Sequence, residues 1–504
     1  MTQTARGGVD VPPAASAEPP TFESIDPRTG EVVGRHPVHS ADEVEATVAA
    51  AREAQEAWAE LGFSGRKQRL DAWRKQLARR VDELAGVICA ETGKPLDDAR
   101  LELVLVIDHL HWAAGNAEKV LKRRKVSSGV LMANQTATVE YLPYGVIGVI
   151  GPWNYPAFTP MGSIAYALAA GNAVVFKPSE LTPGVGQWLV DSFAEAVPDH
   201  PVFRLVTGFG ETGAALCTSG VDKVAFTGST ATGKRVMASC AENLVPVLVE
   251  CGGKDALIVD ADADLTAAAD AAVWGAMSNA GQTCIGVERV YVVEAVADRF
   301  VEMVTERAGK LRPGGEPGAH FGPITMPSQV DVIRSHIDDA LERGGRAVVG
   351  GEHSVRPPFV EPVVLTDVPE DSLAVTEETF GPTIVVQRVR DVDEAVARTN
   401  ATRYGLGAAV FSRARGAELA RRLRTGMVSI NSVVAFAGVP ALPFGGVGDS
   451  GFGRIHGADG LREFARPQSV TRLRYRIPLN PMNFGRSKGT MRRLVRLVKV
   501  VRGR

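Results

Sequence analysis

The stretch SNAGQTCIGVERVYVV, residues 278–293, decides how the chain is organised, because it places a cysteine just before a predicted buried strand. The branched and aromatic residues of Arg289–Val293 are typical of such a strand. Cys284 follows a Gly-Gln turn and is therefore held rigidly. Free cysteine is often only a small core residue. It becomes a nucleophile where its pKa is lowered, the thiol is accessible and a base takes its proton.

Strands alternate with helices upstream of this stretch, between Val146 and Gly253. The predicted strands are 146–151, 173–177, 203–207, 223–227 and 247–250, and the predicted helices lie around 164–170 and 185–196 and from 231. This βαβ progression predicts an α/β fold with a parallel sheet covered on both faces. Such sheets bind ligands beyond their strand ends, so the loops there are the candidate site.

Composition sets the outer bounds. The 504 residues are 45% hydrophobic and 23% charged, which suits two or three globular domains, and a net charge of -2 argues against nucleic-acid binding. No run is long enough to span a bilayer. The five cysteines are widely spaced, without metal or disulfide motifs, so we expect no metal site and a reducing cytoplasmic location. Residues 1–20, rich in Ala and Pro, predict a disordered leader.

The first part of the chain is predicted to be helical from Ala41 to about Leu121, with Ser64 as an N-cap and no chemistry of its own. The segment from Val126 to Tyr144 is rich in Val, Thr and Tyr and predicts extended strands. These strands could form an oligomer contact or only a local surface hairpin.

Two βα loops are candidate phosphate sites. Gly208–Gly213 matches GxGxxG and includes Gly210, but a single match of this kind is weak. The next loop offers Gly228 for close approach and the Ser229 hydroxyl beside free helix amides.

Polar residues also follow another strand, at Lys177-Pro-Ser-Glu180. Lys177 and Glu180 could be a solvated charge and a first-turn helix acid, or both could hold a ribose. A carboxylate accepts from a 2′-hydroxyl and repels a 2′-phosphate, so Glu180 favours NAD over NADP.

Two further residues complete a chemical set. The Asn154 amide, fixed by prolines and aromatics in its loop, could face a reacting oxygen, although Asn in a turn is usually turn chemistry. Glu250 ends an apolar strand beside two glycines. Because burying an unpaired carboxylate is costly, Glu250 is a candidate for proton transfer.

These pieces resemble the aldehyde dehydrogenase superfamily from about Ile25 to about Leu473. The motifs that carry the resemblance are Pro152-Trp-Asn154, Lys177-Pro-Ser-Glu180, Phe226-Thr-Gly-Ser229, Glu250-Cys-Gly-Gly-Lys254, Gly281-Gln-Thr-Cys284, Glu377-Glu-Thr-Phe-Gly-Pro382, and Pro443-Phe-Gly-Gly446 followed by Ser450-Gly-Phe-Gly-Arg454. The resemblance implies two parallel-sheet α/β domains and a small β oligomerisation unit. The implied units are a dinucleotide-binding domain (21–124 and 144–252), a catalytic domain (253–449) and oligomerisation strands (125–143 and 465–474).

The resemblance also implies the site residues. Cys284, Glu250 and Asn154 would be catalytic. The implied cofactor site consists of Trp153, Lys177, Ser179, Glu180, Gly210, Gly228, Ser229, Glu378 and Phe380. NAD is the expected cofactor, while NADP stays open because Glu180 can swing aside in relatives.

The implied reaction oxidises an aldehyde to its carboxylic acid. Cys284 forms a thiohemiacetal whose oxyanion is held by the Asn154 amide and the Cys284 N–H, and hydride loss leaves a thioester that Glu250 helps water to hydrolyse. A water-activating Glu250 argues against relatives that transfer the acyl group to coenzyme A. Other classes left open are a cofactor-independent Cys/Glu esterase and a non-catalytic scaffold.

An uncharged hydrophobic aldehyde, aliphatic or aromatic, is the expected substrate, with succinic semialdehyde as the alternative. No Lys or Arg lies between Tyr155 and Val175 to hold a distal carboxylate. The predicted lining of an apolar tunnel is Tyr155, Phe158, Ile285 and Phe444, together with Trp153, Met161 and Phe436. Cys251 directly follows Glu250 and therefore lies near the implied site. Under oxidation it could form a disulfide with Cys284.

The last residues, 486–504, predict a basic amphipathic helix too short to cross a bilayer. It could lie on an anionic inner membrane surface, stay flexible, or cover a neighbouring subunit's substrate entrance. A homodimer or homotetramer is expected by resemblance.

Overall fold

The computed structural model describes residues 20–316, 318–476 and 482–503, so nearly all of the predicted leader, 1–20, lies outside the described residues. The strands are β1 (Thr21–Ile25), β2 (Val32–Pro37), β3 (Arg124–Val126), β4 (Gln135–Pro143), β5 (Val146–Ile150), β6 (Ala173–Lys177), β7 (Phe203–Leu205), β8 (Lys223–Thr227), β9 (Val247–Glu250), β10 (Asp255–Val259), β11 (Val287–Val293), β12 (Arg346–Val349), β13 (Val355–Arg356), β14 (Phe359–Val360), β15 (Val363–Thr366), β16 (Thr383–Val389), β17 (Ala408–Phe411), β18 (Ser429–Ile430), β19 (Gly451–Phe452) and β20 (Ala465–Leu473).

The helices follow the same chain order. They are α1 (Ala41–Glu60), α2 (Gly62–Arg79), α3 (Val81–Thr92), α4 (Leu96–Leu121), α5 (Phe158–Ala170), α6 (Pro183–Ala196), α7 (Gly210–Thr218), α8 (Thr230–Ala241), α9 (Leu265–Met277), α10 (Glu294–Ala308), α11 (Gln329–Glu342), α12 (Leu373–Thr376), α13 (Val392–Asn400), α14 (Gly416–Ala420), α15 (Gly457–Glu463) and α16 (Lys488–Arg502).

A first sheet has the order β19-β9-β8-β5-β6-β7. Its strands pair in parallel except for β19, which runs antiparallel to β9 and sets Gly451 opposite Glu250. The middle strands are almost wholly buried, as continuous apolar runs in a covered parallel sheet should be. The predicted βαβ progression is confirmed, and the chain from 443 to 456 returns to the end of the Glu250 strand.

A second sheet has the order β12-β15-β16-β11-β10-β17-β18 and is parallel except for its edge strand β12. Cys284 stands in the loop that enters β11. The two sheets are joined by the turn Cys251–Lys254 between β9 and β10. The chain therefore places Glu250 at the exit of one sheet and Cys284 at the entrance of a central strand of the other.

A third sheet consists of β20, β4 and β3, all antiparallel. β4 and β20 pair along nine residues, from Gln135 opposite Leu473 to Pro143 opposite Ala465. The predicted strands are thus present, and their role in assembly stays a prediction.

Helices α1–α4 confirm the helical prediction for the first part of the chain. Val44, Val48, Ala51 and Trp58 are buried on one face of α1. The Ser64 N-cap prediction is wrong, because α2 already begins at Gly62, with only Leu61 between it and the end of α1. Within the described ranges, no helix is long and apolar enough to cross a bilayer.

Candidate active site

The loop before Cys284 has an unusual backbone. Asn279 and Ala280 adopt positive φ angles of 53° and 56°, followed by Gly281 at 71°. A Cβ on residue 281 would lie 1.9 Å from the Gly381 carbonyl oxygen, so only glycine fits. Side chains rarely occupy this region, and such strain persists where surrounding contacts enforce it. The loop is therefore held in one shape by its neighbours.

Gln282 supplies several of those contacts. Its side-chain oxygen accepts from Thr325 N at 2.8 Å, and its Nε2 donates to the carbonyls of Asn279 and Pro323 at 3.0 and 3.1 Å. Asn154 Nδ2 donates to the Gln282 carbonyl at 2.9 Å. The structure therefore brings Asn154 to the cysteine loop, with one amide N–H engaged in holding it.

An ion pair that the sequence analysis missed supports the same region. Lys94 and Glu102 are buried, with Lys94 Nζ 2.9 Å from Glu102 Oε2. Lys94 also donates to the Asn154 carbonyl at 2.8 Å, while Glu102 accepts from Ala157 N and Phe158 N at 2.8 and 3.0 Å. A carboxylate at the start of α5 is favoured by the helix dipole. The pair thus fixes the Asn154 loop at both ends.

Glu250 lies at the other side of Cys284. It is 2% exposed, and neither carboxyl oxygen has a hydrogen-bond partner among the described residues. A small cavity of about 20 Å³ touches Glu250, Cys251 and Cys284. Both cysteines are free thiols, so the disulfide considered from sequence is not formed in this structure.

Burial and neighbouring carboxyl groups disfavour the charged forms of Cys284 and Glu250. Burial raises the pKa of the Cys284 thiol, and the carboxyls of Glu378, Asp255 and Glu250 raise it further. Burial also raises the pKa of Glu250 well above its usual range, although Arg454 opposes this. A thiol among carboxyl groups is a nucleophile only when its proton is removed, so a base must act with it.

Glu378 lies beside the turn between the two sheets. Its Oε1 accepts from Gly253 N at 2.9 Å, and burial raises its pKa to about 8. A Cβ on Gly252 would lie 2.0 Å from Glu378 Oε2, so the carboxylate can approach only a glycine. This explains physically the paired glycines of the Glu250 motif.

A second buried ion pair holds the Glu378 loop. Lys254 contacts Glu288, whose carboxylate accepts from Thr379 N and Phe380 N at 2.8 and 3.0 Å. Phe380 has a positive φ of 52° and packs edge-to-face on Trp153, with ring centroids 5.6 Å apart. Trp153 therefore lies towards the predicted cofactor residues and not in the substrate tunnel, where it was also expected.

The remaining predicted cofactor residues gather at the ends of β6, β7 and β8. Lys177 is buried, burial lowers its pKa, and its Nζ donates to Pro178 O at 3.1 Å. Gly213 of the GxGxxG loop lies against the Lys177 side chain, and Gly210 begins α7. Ser179 is buried and Glu180 is exposed. Ser229 follows Gly228 and caps α8 by accepting from Thr232 N.

A larger cavity of about 260 Å³ also reaches Cys284 and shares Phe158, Thr159 and Phe444 with the small one. All four predicted substrate residues, Tyr155, Phe158, Ile285 and Phe444, line it. Met161 and Phe436, also expected in the tunnel, belong instead to the core and do not line this cavity. Lining residues that the sequence analysis missed are Leu101, Leu105, Trp274, Val433, Val434 and Ala437. These residues come from α4, α9 and the 433–438 loop, which are far apart in the sequence. No local sequence pattern therefore indicates that they line one cavity.

A sequence model of the aldehyde dehydrogenase family matches residues 14–470. The chain belongs to the aldehyde dehydrogenase family. It is 39% identical over 465 residues to a 4,4'-diapolycopene aldehyde oxidase from Methylomonas sp, covering 92% of this chain and 87% of that protein. It is 36% identical over 453 residues to a putative NADP(+) succinate-semialdehyde dehydrogenase from Mycolicibacterium smegmatis, covering 88% of this chain and 87% of that protein.

A solved NAD-dependent aldehyde dehydrogenase from Sinorhizobium meliloti superposes with a TM-score of 0.87 at 34% identity, covering 92% of this chain and 93% of that one. The aldehyde dehydrogenase-like α/β fold predicted from the motifs is therefore confirmed, and the protein is an oxidoreductase of that family. Among the residues described, no group of three or more His, Cys, Asp or Glu side chains is placed to hold a metal ion.

Proposed function

We propose that this aldehyde dehydrogenase oxidises an uncharged, hydrophobic aldehyde to its carboxylic acid with NAD. This proposal is supported above all by the lining of the 260 Å³ cavity that reaches Cys284, which is largely apolar. The charged residues in this lining are Lys94, Asp98 and Glu102. Lys94 already donates hydrogen bonds to Glu102 and to the Asn154 carbonyl. An apolar pocket with few polar groups favours an apolar ligand.

The same lining argues against the alternative, succinic semialdehyde. A distal carboxylate needs a cationic partner, and the described lining residues offer no arginine and no lysine besides the paired Lys94. Asp98 adds a carboxyl group to this lining. The similarity to a putative succinate-semialdehyde dehydrogenase therefore supports the family more than the substrate.

The chain's own groups fit a dinucleotide. Lys177 is buried with a single side-chain hydrogen bond in the described structure. Gly210 has no atom within 4 Å of a built Cβ and leaves its strand end open, whereas a Cβ on Gly228 would meet the Phe226 ring at 2.7 Å. Lys177, Ser179 and Glu180 would hold the adenosine ribose, and Glu378 the nicotinamide ribose, with Trp153 and Phe380 beside it. Oxidised nicotinamide bound there would accept the hydride. The exposed Glu180 carboxylate supports NAD over NADP.

In the mechanism we propose, Cys284 loses its thiol proton to water and adds as a thiolate to the aldehyde carbon, whose oxygen becomes an oxyanion. The second Asn154 amide N–H and the Cys284 backbone N–H would stabilise this charge. After hydride loss a thioester remains on Cys284. Glu250, whose unpartnered carboxyl shares a cavity with Cys284, would then take a proton from the attacking water.

Two variants test this chemistry. Glu250→Gln should retain aldehyde-dependent formation of about one NADH per site and then stop, with the acyl group visible on the intact protein mass. Cys284→Ala should form neither NADH nor adduct. If the unmodified chain hydrolyses esters but forms no NADH from any aldehyde, the esterase alternative is favoured. If it acts on neither esters nor aldehydes, the scaffold alternative is favoured.

We also propose that the chain forms a homodimer or homotetramer through the β20-β4-β3 sheet. β20 is nine residues long and pairs on one edge with β4, leaving its other edge without a strand in the described part of the chain. Such an edge is a template for pairing with another chain. Light scattering after gel filtration should give two or four times the chain mass, and a monomer would contradict this proposal.

A third proposal concerns α16, which we expect to contact an anionic membrane surface on the cytoplasmic side. Six basic residues occupy it, namely Lys488, Arg492, Arg493, Arg496, Lys499 and Arg502, and none of its residues is buried. Apolar Met491, Val495 and Val501 are exposed at helical spacing. Each basic residue contributes about 1 kcal/mol near anionic lipid. The chain should sediment with phosphatidylserine vesicles and lose this on deletion of 486–504. Absence of sedimentation by the intact chain contradicts it.

A further inference from the structure

The small cavity beside Glu250 has about the volume that one water molecule needs. Its volume is about 20 Å³, and its walls include Glu250, Cys284, Thr159, Thr227 and His456. A cavity of about this size holds one water when two to four polar groups can reach it. The lining thus joins the candidate nucleophile, the candidate base and a histidine that has no role in the reaction described above.

Glu250 and His456 are both buried polar groups without partners. Glu250 is 2% exposed and His456 is 1% exposed. Neither oxygen of Glu250 and neither ring nitrogen of His456 has a hydrogen-bond partner among the described residues. Leaving several polar atoms unsatisfied in one place is unfavourable. A water that bonds to both side chains satisfies the two groups together.

The backbone conformation and the neighbouring rings fix the position of the His456 imidazole. The His456 backbone has a φ of 61°, a region that residues other than glycine rarely adopt. The imidazole packs among the rings of Phe158, Tyr166 and Phe444, at centroid distances of 5.5 to 5.7 Å. On α5, a Cβ at Gly162 would lie 2.7 Å from His456 Nε2. His456 therefore has a strained backbone, and only a glycine at position 162 leaves room for its ring beside the cavity.

The ring is also in the right protonation state to orient water. Burial lowers the pKa of His456 well below its usual range, and the nearby His109 ring, 4.0 Å away between centroids, lowers it further. Burial lowers the pKa of His109 to about 4. A neutral imidazole has one nitrogen that accepts a hydrogen bond. His456 can accept an O–H from water without competing with Glu250 for the proton that is transferred.

We propose that His456 is a positioning residue for thioester hydrolysis, holding with Glu250 the water that attacks the acyl group on Cys284. One O–H donates to the Glu250 carboxylate and the other to His456, which leaves an oxygen lone pair for the acyl carbon. The water oxygen forms the new C–O bond while its proton passes to Glu250. The C–S bond then breaks, Cys284 leaves as thiolate, and the acid product loses its remaining proton to solvent. This inference rests on the proposed function.

The test measures deacylation alone, without cofactor. The purified full chain is acylated on Cys284 with p-nitrophenyl acetate, and the lifetime of the acetyl adduct is followed by intact-protein mass spectrometry. His456→Phe removes the acceptor and keeps an aromatic ring, so we expect a lifetime at least tenfold longer with the initial nitrophenol burst unchanged. His456→Gln restores a neutral acceptor and should stay within about threefold of the unmodified chain.

Tyr166→Phe is the matched control. It removes a hydroxyl that donates to Pro440 O at 3.2 Å and also interacts with the Gly457 backbone next to His456. It leaves the ring that packs on His456, and Tyr166 does not line the cavity, so it reports any purely structural effect at this segment. We expect an unchanged lifetime. If His456→Phe does not fold, as judged by loss of the nitrophenol burst, His456→Leu takes its place in the same measurement.

The outcomes separate this inference from the proposed function. A lifetime unchanged by loss of the imidazole, or one equally prolonged in the Gln, Phe and Tyr166→Phe variants, overturns the role of His456. An unmodified chain that is acylated and deacylated but never forms NADH from any aldehyde overturns the proposed function and leaves the water site standing.

Discussion

Lys94 donates to the Asn154 carbonyl at 2.8 Å from within the cavity that leads to Cys284, so a cation of the helical region holds the loop of the candidate oxyanion donor. Its charge is balanced by Glu102, which in turn holds the first amides of α5. The helical segment therefore supports the site rather than only covering the sheet.

Removing one partner of this pair should cost stability. Lys94→Met leaves the Glu102 carboxylate buried without its cation, and we expect the free energy of unfolding to fall by about 3–5 kcal/mol. Lys94→Met/Glu102→Leu should recover part of that loss, because no lone charge remains, although Ala157 N and Phe158 N lose their acceptor. We expect kcat to stay low, because the Asn154 carbonyl then keeps only the Asn279 Nδ2 donor at 3.1 Å. Urea denaturation and steady-state NADH formation measure the two quantities. Equal stability of the single and double variants would contradict this explanation.

Adding one carbon at Gly252 should displace Glu378. A Cβ there would lie 2.0 to 2.4 Å from the Glu378 carboxyl group, so the carboxylate must move away from its position by Gly253 N. We expect Gly252→Ala to raise the KM for NAD at least tenfold and to lower kcat. Gly115→Ala, on the exposed side of α4 with no atom within 4 Å of the new carbon, should change neither constant. Cofactor titration by fluorescence checks the first effect independently of turnover.

Activity should rise with pH. Glu250 must be ionised to accept a proton, and burial raises its pKa well above the usual range, so the active fraction grows as the pH increases. The raised pKa of the Cys284 thiol acts in the same direction. We expect kcat to keep increasing with pH beyond the range in which a glutamate usually titrates. Acyl-enzyme hydrolysis in Glu250→Gln should be slow and lose this dependence, whereas a flat profile in the unmodified chain would contradict the assignment of Glu250 as base.

A cation placed at the cavity should change substrate preference. Leu101 is 50% exposed and lines the cavity, so Leu101→Arg can supply a guanidinium there at little cost in stability. We expect the ratio of kcat/KM for succinic semialdehyde to that for hexanal to rise at least tenfold. Val104→Arg is the control, since Val104 is 56% exposed on the same helix and does not line the cavity. Equal effects of the two substitutions would show that net charge, not cavity lining, decides the preference.

The elements that the sequence predicted well are those with strong local patterns. The strands Ala173–Lys177, Lys223–Thr227 and Val247–Glu250 have the predicted bounds, because each is a short apolar run between turn residues. The motif residues Asn154, Glu250 and Cys284 do meet in one place. The sequence could not show that one Asn154 N–H is used to hold the Gln282 carbonyl, because that contact spans 128 residues.

The parts that the sequence did not reveal depend on which face of an element is buried. Lys94 and Glu102 lie in the helical segment, from which we expect no chemistry, because helical periodicity alone does not say that they line a cavity. Met161 was placed in the tunnel for its apolar side chain, but it faces the core. His456 carried no motif that the reaction needed, and only its unpartnered nitrogens and positive φ angle distinguish it.

The decisive measurement for the substrate class is NADH formation across straight-chain aldehydes of rising length, with benzaldehyde and succinic semialdehyde in the same series. The apolar cavity predicts that kcat/KM climbs with chain length and that succinic semialdehyde is among the poorest substrates. Best turnover of succinic semialdehyde would contradict the proposed substrate class. It would leave the chemistry of Cys284 and Glu250 intact and require a carboxylate-binding group outside the described lining of the cavity.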